Sequence, residues 1–161
     1  MMDGTRRSFD LEAIRADFPI LSREVHGKPL VYLDSAASAQ KPAQVLDALM
    51  SAYQDTYANV HRGLHFLSEA STDLYEAVRG KVAGFIGAAS GDEIVLTSGA
   101  TMSLNLIARC WAQPRLQPGD EILISIAEHH ANIVPWQMVA EATGARVRAF
   151  TLEDDGAFSM A

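Results

Sequence analysis

The residues best suited to chemistry lie at 124–136, "ISIAEHHANIVPW", where an apolar run ends in an acid and two adjacent imidazoles, His129 and His130. A histidine beside a strand end is often only a hydrogen-bonding residue. Adjacent histidines also cannot both face one metal ion as i, i+4 histidines on a helix can, so the reading contains no metal site. The sharper alternative is an imidazole lying flat against an aromatic ligand ring, held by a rigid apolar strand end and able to move protons near neutral pH.

A second candidate is "VLTSGATMSLN", where an apolar run gives way at Ser98-Gly99 to a helix opening near Ala100-Thr101. Free N–H groups and the positive end of the helix dipole suit a phosphate, with Gly99 permitting close backbone approach and the Thr101 hydroxyl adding a donor. A simple helix cap has the same composition. The third is "YANVHRGLH". His61 and His65 have metal-sharing spacing only if helical, and Gly63 between them argues for a loop. Arg62 in that loop suits a carboxylate or phosphate, or an ordinary surface ion pair. Cys110 sits in an apolar helical run, "LNLIARCWA", and is expected to be a buried small hydrophobe without chemistry.

The elements that must position these residues follow from periodicity. "SFDLEAIRADFPIL" predicts a short helix begun by Asp10 and ended before Pro19. "LVYLD" (30–34) reads as a strand, and a helix starts at Pro42 with Val45, Leu46, Leu49 and Tyr53 at helical spacing. Residues 67–87 predict a long amphipathic helix with Leu67, Leu74, Val78, Val82 and Phe85 on one stripe and Gly87 at its end. Then follow strand 93–99, helix 100–112, strand 120–128, helix 132–144 and strand 145–152. Apolar strands alternating with helices predict an α/β fold with a mainly parallel sheet and flanking helices. Ligands in such sheets sit beyond the carboxyl ends of the strands, which selects the turns after "VYLD", at "TSGAT" and at "AEHHAN".

The totals bound the function. The 161 residues, 48% of them hydrophobic, can build a core; no repeat or linker divides them, so one continuous domain is expected after a short arm. A net charge of −7 without any basic cluster argues against nucleic acid, and no 18-residue uncharged run exists to span a bilayer. The expectation is a soluble, cytoplasmic chain, whose lone cysteine can form no internal disulfide.

Taken together, "YLDSAASAQKP", "YANVHRGLH" and "EHHANIVPWQ" resemble the amino-terminal third of SUF-type cysteine desulfurases, class V aminotransferase-like pyridoxal-phosphate enzymes, from about Phe18 onward. The resemblance implies part of a fold-type I large domain: an arm with a short helix over 1–29, then an incomplete cofactor-binding domain over 30–161. It implies pyridoxal 5'-phosphate as cofactor, L-cysteine as substrate, a homodimer, and transfer of sulfur through an enzyme persulfide to an acceptor protein for iron–sulfur cluster assembly. His129 matches the ring-stacking histidine, and Ala100 and Thr101 match phosphate-binding residues. Ala36 and Ala37 match small residues beside the substrate, and His61 and Arg62 match a loop at the active-site mouth. His130 carries no assigned role.

Two departures qualify the match. Family members commonly carry Thr-Thr-Glu or a close variant where this chain has Ala100-Thr101-Met102. None of Lys28, Lys41 and Lys81 matches the family's Schiff-base lysine, and the nucleophilic cysteine and the acid that pairs with the pyridine nitrogen have no counterpart either. The chain is therefore expected to be the front part of a desulfurase, inactive alone. Alternatives are a selenocysteine lyase or another class V enzyme of the same fold, and a non-catalytic half-domain that binds a partner chain. All versions of the cofactor reading require His129 and the start of the helix at Thr101 to share one pocket.

Overall fold

The computed structural model describes residues 9–158. The beginning of the expected arm and the last residues of "EDDGAFSMA" lie outside them. Contacts divide the chain into two compact units, one ending at Glu93 and one beginning at Ile94.

In the first unit, helix α1 (Leu11–Ala16) begins where the Asp10 carboxylate accepts the Ala13 N–H at 3.0 Å. It ends before Pro19, which opens a 3-10 turn. A small antiparallel hairpin of β1 (Glu24–Val25) and β2 (Lys28–Pro29) follows. Its turn places His26 and Gly27 at φ 53° and 71°, the left-handed pair of a type I′ turn. Helix α2 (Ala43–Ser51) starts after Pro42 and widens into a π-helical turn, Ala52–Thr56. Helix α3 (Phe66–Ile86) ends at Gly87 in the left-handed conformation, φ 76°, as the sequence predicts.

The second unit holds helix α4 (Ala100–Leu106), prolonged by a π-helical turn over Ile107–Ala112, then β3 (Glu121–Ser125), α5 (Val134–Thr143) and β4 (Arg146–Phe150). β3 and β4 pair in parallel with Glu121 opposite Arg146 and Ser125 opposite Phe150, and α5 supplies the crossover that a parallel pair requires. Gly144 ends α5 at φ 79°. Val139, Ala140, Ala108, Ala112 and Ala145 are buried and form the core, where α5 packs on β4 and on the π-helical end of α4. Among the described residues no helix is long and apolar enough to cross a membrane.

Four expectations are corrected. Residues 30–34 and 93–99 form no strand. A strand exists by exchanging hydrogen bonds with a neighbour, and no described strand lies beside either run; Val31, Leu33 and Val95 are accordingly 75%, 91% and 75% exposed. The parallel sheet among the described residues is thus two-stranded. The stripe on α3 is not a buried face, for Phe85 is 91% exposed and the buried residues of that helix are Ser68 and Ala83. Cys110 is exposed rather than buried, because Ala108 and Ala112 take the inward positions of the π-helical turn and the residue midway between them faces out.

Candidate active site

The exit of β3 and the start of α4 meet at one cavity. Ser125, buried at the end of β3, accepts the Ala127 N–H through Oγ at 3.0 Å, and the Glu128 N–H approaches its carbonyl at 3.4 Å. That turns the chain into the 3-10 segment His130–Asn132, with His129 as its cap. The Ala131 N–H donates to His129 Nδ1 at 3.2 Å, and the His130 ring stands edge-on to that of His129 with centroids 5.3 Å apart. An Nδ1 that accepts a bond places the proton of the neutral ring on Nε2.

At the start of α4, Gly99 is the cap residue at φ 144° and ψ 174°, a region essentially restricted to glycine. Thr97 Oγ1 donates to the Gly99 carbonyl at 3.1 Å and shares a 2.7 Å bond with Ser103 Oγ, so the turn is ordered by its own hydroxyls. Among the described residues no side chain caps the helix, and its first turn contains no acid. The first-turn amides therefore have no intrahelical partner and no acid in their own turn, and they are exposed to solvent. Met102 of the altered phosphate turn accepts the Ser98 hydroxyl through Sδ at 3.3 Å.

The cavity has a volume of about 290 Å³ and is lined by Thr101, Asn105, His129, His130, Val134 and Pro135, among others. Ala100 directly precedes Thr101 at the first position of α4. Thr101 and His129, predicted from separate motifs, thus share one wall system. Asn105 was not singled out by sequence reasoning. Its signal was the i+4 spacing from Thr101, whose carbonyl accepts the Asn105 amide at 2.8 Å.

The other candidates lie in the first unit. Ala36 and Ala37 are exposed in a turn where the N–H groups of Ala37 and Ser38 both donate to the Asp34 carbonyl, at 3.2 and 3.0 Å. The 57–65 segment is a loop, as Gly63 implied. His61, at φ 68°, is tied to α3: its N–H donates to Thr72 Oγ1 at 2.9 Å, its Nε2 lies 2.7 Å from Glu76 Oε1, and its ring meets Tyr75 edge-on. This bond, reinforced by Arg79, holds the Glu76 carboxyl below the ordinary glutamate range. Among the described residues no carboxylate pairs with Arg62, so the surface ion pair considered for it is not made. All three lysines precede Glu93, and the unit containing the cavity has none.

Residues 31–161 match the family model for class-V aminotransferases. A cysteine desulfurase of Pectobacterium atrosepticum is 54% identical over 154 residues, covering 96% of this chain and 38% of that protein. The chain therefore spans well under half the length of the curated relatives it matches. Among solved structures, the apo cysteine desulfurase of Thermococcus onnurineus superposes with a TM-score of 0.82 at 37% identity, over 92% of this chain and 35% of that one. A cysteine desulfurase of Escherichia coli superposes with a TM-score of 0.75 at 47% identity, over 91% and 35%.

Proposed function

Because the chain belongs to the class-V aminotransferase family, which depends on pyridoxal phosphate, we propose that it carries the phosphate seat and the ring-facing histidine of a cysteine desulfurase. The observation that carries this reading is the lining of one cavity by Thr101 and His129. Uncapped amides, a glycine-only turn and a hydroxyl fit a phosphate, and the imidazole beside them fits a flat ring. At about 290 Å³ the cavity falls just below the roughly 300–1,000 Å³ of small-molecule sites. The domain reading goes with this: an arm over 1–29 and the amino-terminal part of the cofactor-binding domain over 30–161.

When bound, the cofactor supplies the electron sink that stabilises carbanion charge during cleavage of the carbon–sulfur bond of L-cysteine. The protein's own work is more limited. The amides of the first turn of α4 and the Thr101 hydroxyl hold the phosphate, with the helix dipole adding about 0.3–1 kcal/mol. His129 would face the ring from the cavity wall, and its neutral imidazole carries its proton at Nε2, since Nδ1 is engaged by the Ala131 amide. By the family resemblance alone, Ala36 and Ala37 correspond to small residues for the substrate and His61 and Arg62 to a mouth loop, whose arginine suits an anion. The Schiff-base lysine and sulfur-accepting cysteine belong to the length of the relatives that this chain does not span. A homodimer, a cytoplasmic setting and a sulfur-acceptor protein complete the proposal.

Titrating the chain with pyridoxal phosphate and following its absorbance tests the reading. The expected result is saturable binding that His129→Ala perturbs and no sulfide release from added cysteine. An unchanged spectrum in His129→Ala removes the stacking role, and sulfide release at the rate of a complete desulfurase overturns the reading of the chain as inactive alone.

A further inference from the structure

The turn that presents His129 is braced by three side chains spaced four residues apart. Trp136 Nε1–H, on α5, donates to Asn132 Oδ1 at 2.8 Å, and Asn132 Nδ2 donates to Glu128 Oε2 at 2.9 Å. All three are partly buried. Indole is donor-only and an ionised carboxylate is acceptor-only, so a residue between them must accept on one side and donate on the other. Asparagine does both with one planar group in one orientation. Asn132 also closes the turn through its backbone, donating its N–H to the His129 carbonyl at 2.8 Å.

From this we infer that Asn132 is a positioning residue for His129, tying the exit of β3 to α5 so that the imidazole keeps Nδ1 on the Ala131 amide and Nε2–H toward the cavity. The inference rests on the proposed cofactor role of His129 only for its consequence, not for the brace itself. Asn132→Asp keeps the acceptor for Trp136 but sets a second carboxylate against Glu128 and removes the donor. Adding Glu128→Gln reverses the polarity of that bond: the introduced amide donates to one oxygen of the introduced carboxylate, while the other oxygen still accepts from the indole.

The test uses the full 161-residue chain. Ring ¹⁵N resonances of His129 report its tautomer, the indole N–H resonance of Trp136 reports the brace, and pyridoxal phosphate titration reports the cavity. In Asn132→Asp the indole resonance moves, the Nε2–H tautomer gives way to a mixture, and cofactor affinity falls about tenfold, the size of one lost hydrogen bond to a charged group. The double variant restores all three. Unmoved His129 resonances in Asn132→Asp, or a folded double variant that restores none of the readouts, overturn the inference. If the wild-type chain shows the Nε2–H tautomer and the rescue yet binds no pyridoxal phosphate, the positioning role stands and the desulfurase reading is what fails.

Discussion

The imidazole of His61 and the carboxylate of Glu76 lie 2.7 Å apart across fifteen residues of chain, one on a loop at positive φ and the other on α3. The bond fixes the backbone beside Arg62, so an arginine on a glycine-containing loop has a held base rather than a floppy one. Glu76 is lowered first by His61 and then by Arg79, against the opposing effect of burial.

A carboxyl group lowered by its folded-state partners favours the folded loop above the ordinary glutamate pKa, and that support disappears as pH falls through its lowered value. A carboxyl-detected titration is expected to show Glu76 with its midpoint below the ordinary range, moving upward in His61→Ala. The pair is half-exposed, so added salt should shrink the difference. A midpoint that ignores both changes contradicts His61 as the cause of the lowering.

Ser68 is the second anchor of the same loop. Fully buried at the third position of α3, it donates through Oγ to the Asn59 carbonyl and accepts the Gly63 N–H at 3.0 Å. Ser68→Ala leaves both backbone groups short of a partner and is expected to cost about 1–3 kcal/mol. Gly63→Ala should cost a similar amount, about 1–3 kcal/mol, by overpacking, because a Cβ there would overlap the Ser68 side chain. Denaturant midpoints check both. Because the two sites touch, the losses should combine non-additively in the double variant.

Features set by neighbours in sequence were legible without a structure. Asp10, Gly87 and Gly144 end or begin helices through bonds within one turn, and each stands where its residue type predicts. The strands were legible only where a partner accompanies them. "EILIS" and "RVRAF" pair with each other, whereas "LVYLD" and "EIVL" share their composition and form no ladder among the described residues. An apolar run records an affinity for burial and does not identify its neighbour. For the candidate site, Thr101 and His129 were found from turn chemistry, and Asn132 was not. Its side chain matters through groups four residues away on either side, and nothing in an Asn between His129 and Trp136 distinguishes a brace from a solvated loop residue. The exposure of Cys110 was hidden for a different reason, since the π-helical turn that rotates it outward leaves no mark in α-helical spacing.

The phosphate seat depends on backbone conformation rather than on contact, and two alanine substitutions separate these causes. A Cβ at Gly99 and one at Gly84 would each meet nothing within 4 Å apart from their own immediate chain. Gly84 lies inside α3, where alanine is preferred to glycine by about 1 kcal/mol. Gly99 sits at φ 144°, where an alanine costs about 1–3 kcal/mol or forces the turn to reshape. Gly84→Ala is therefore expected to raise the melting temperature by about 2–4 °C and leave pyridoxal phosphate binding alone. Gly99→Ala should lower the melting temperature and weaken cofactor binding together, since the amides of Ala100 and Thr101 follow the turn. Equal effects of the two substitutions would mean that the turn does not require the positive φ of Gly99, and the helix start would lose its claim as the phosphate seat.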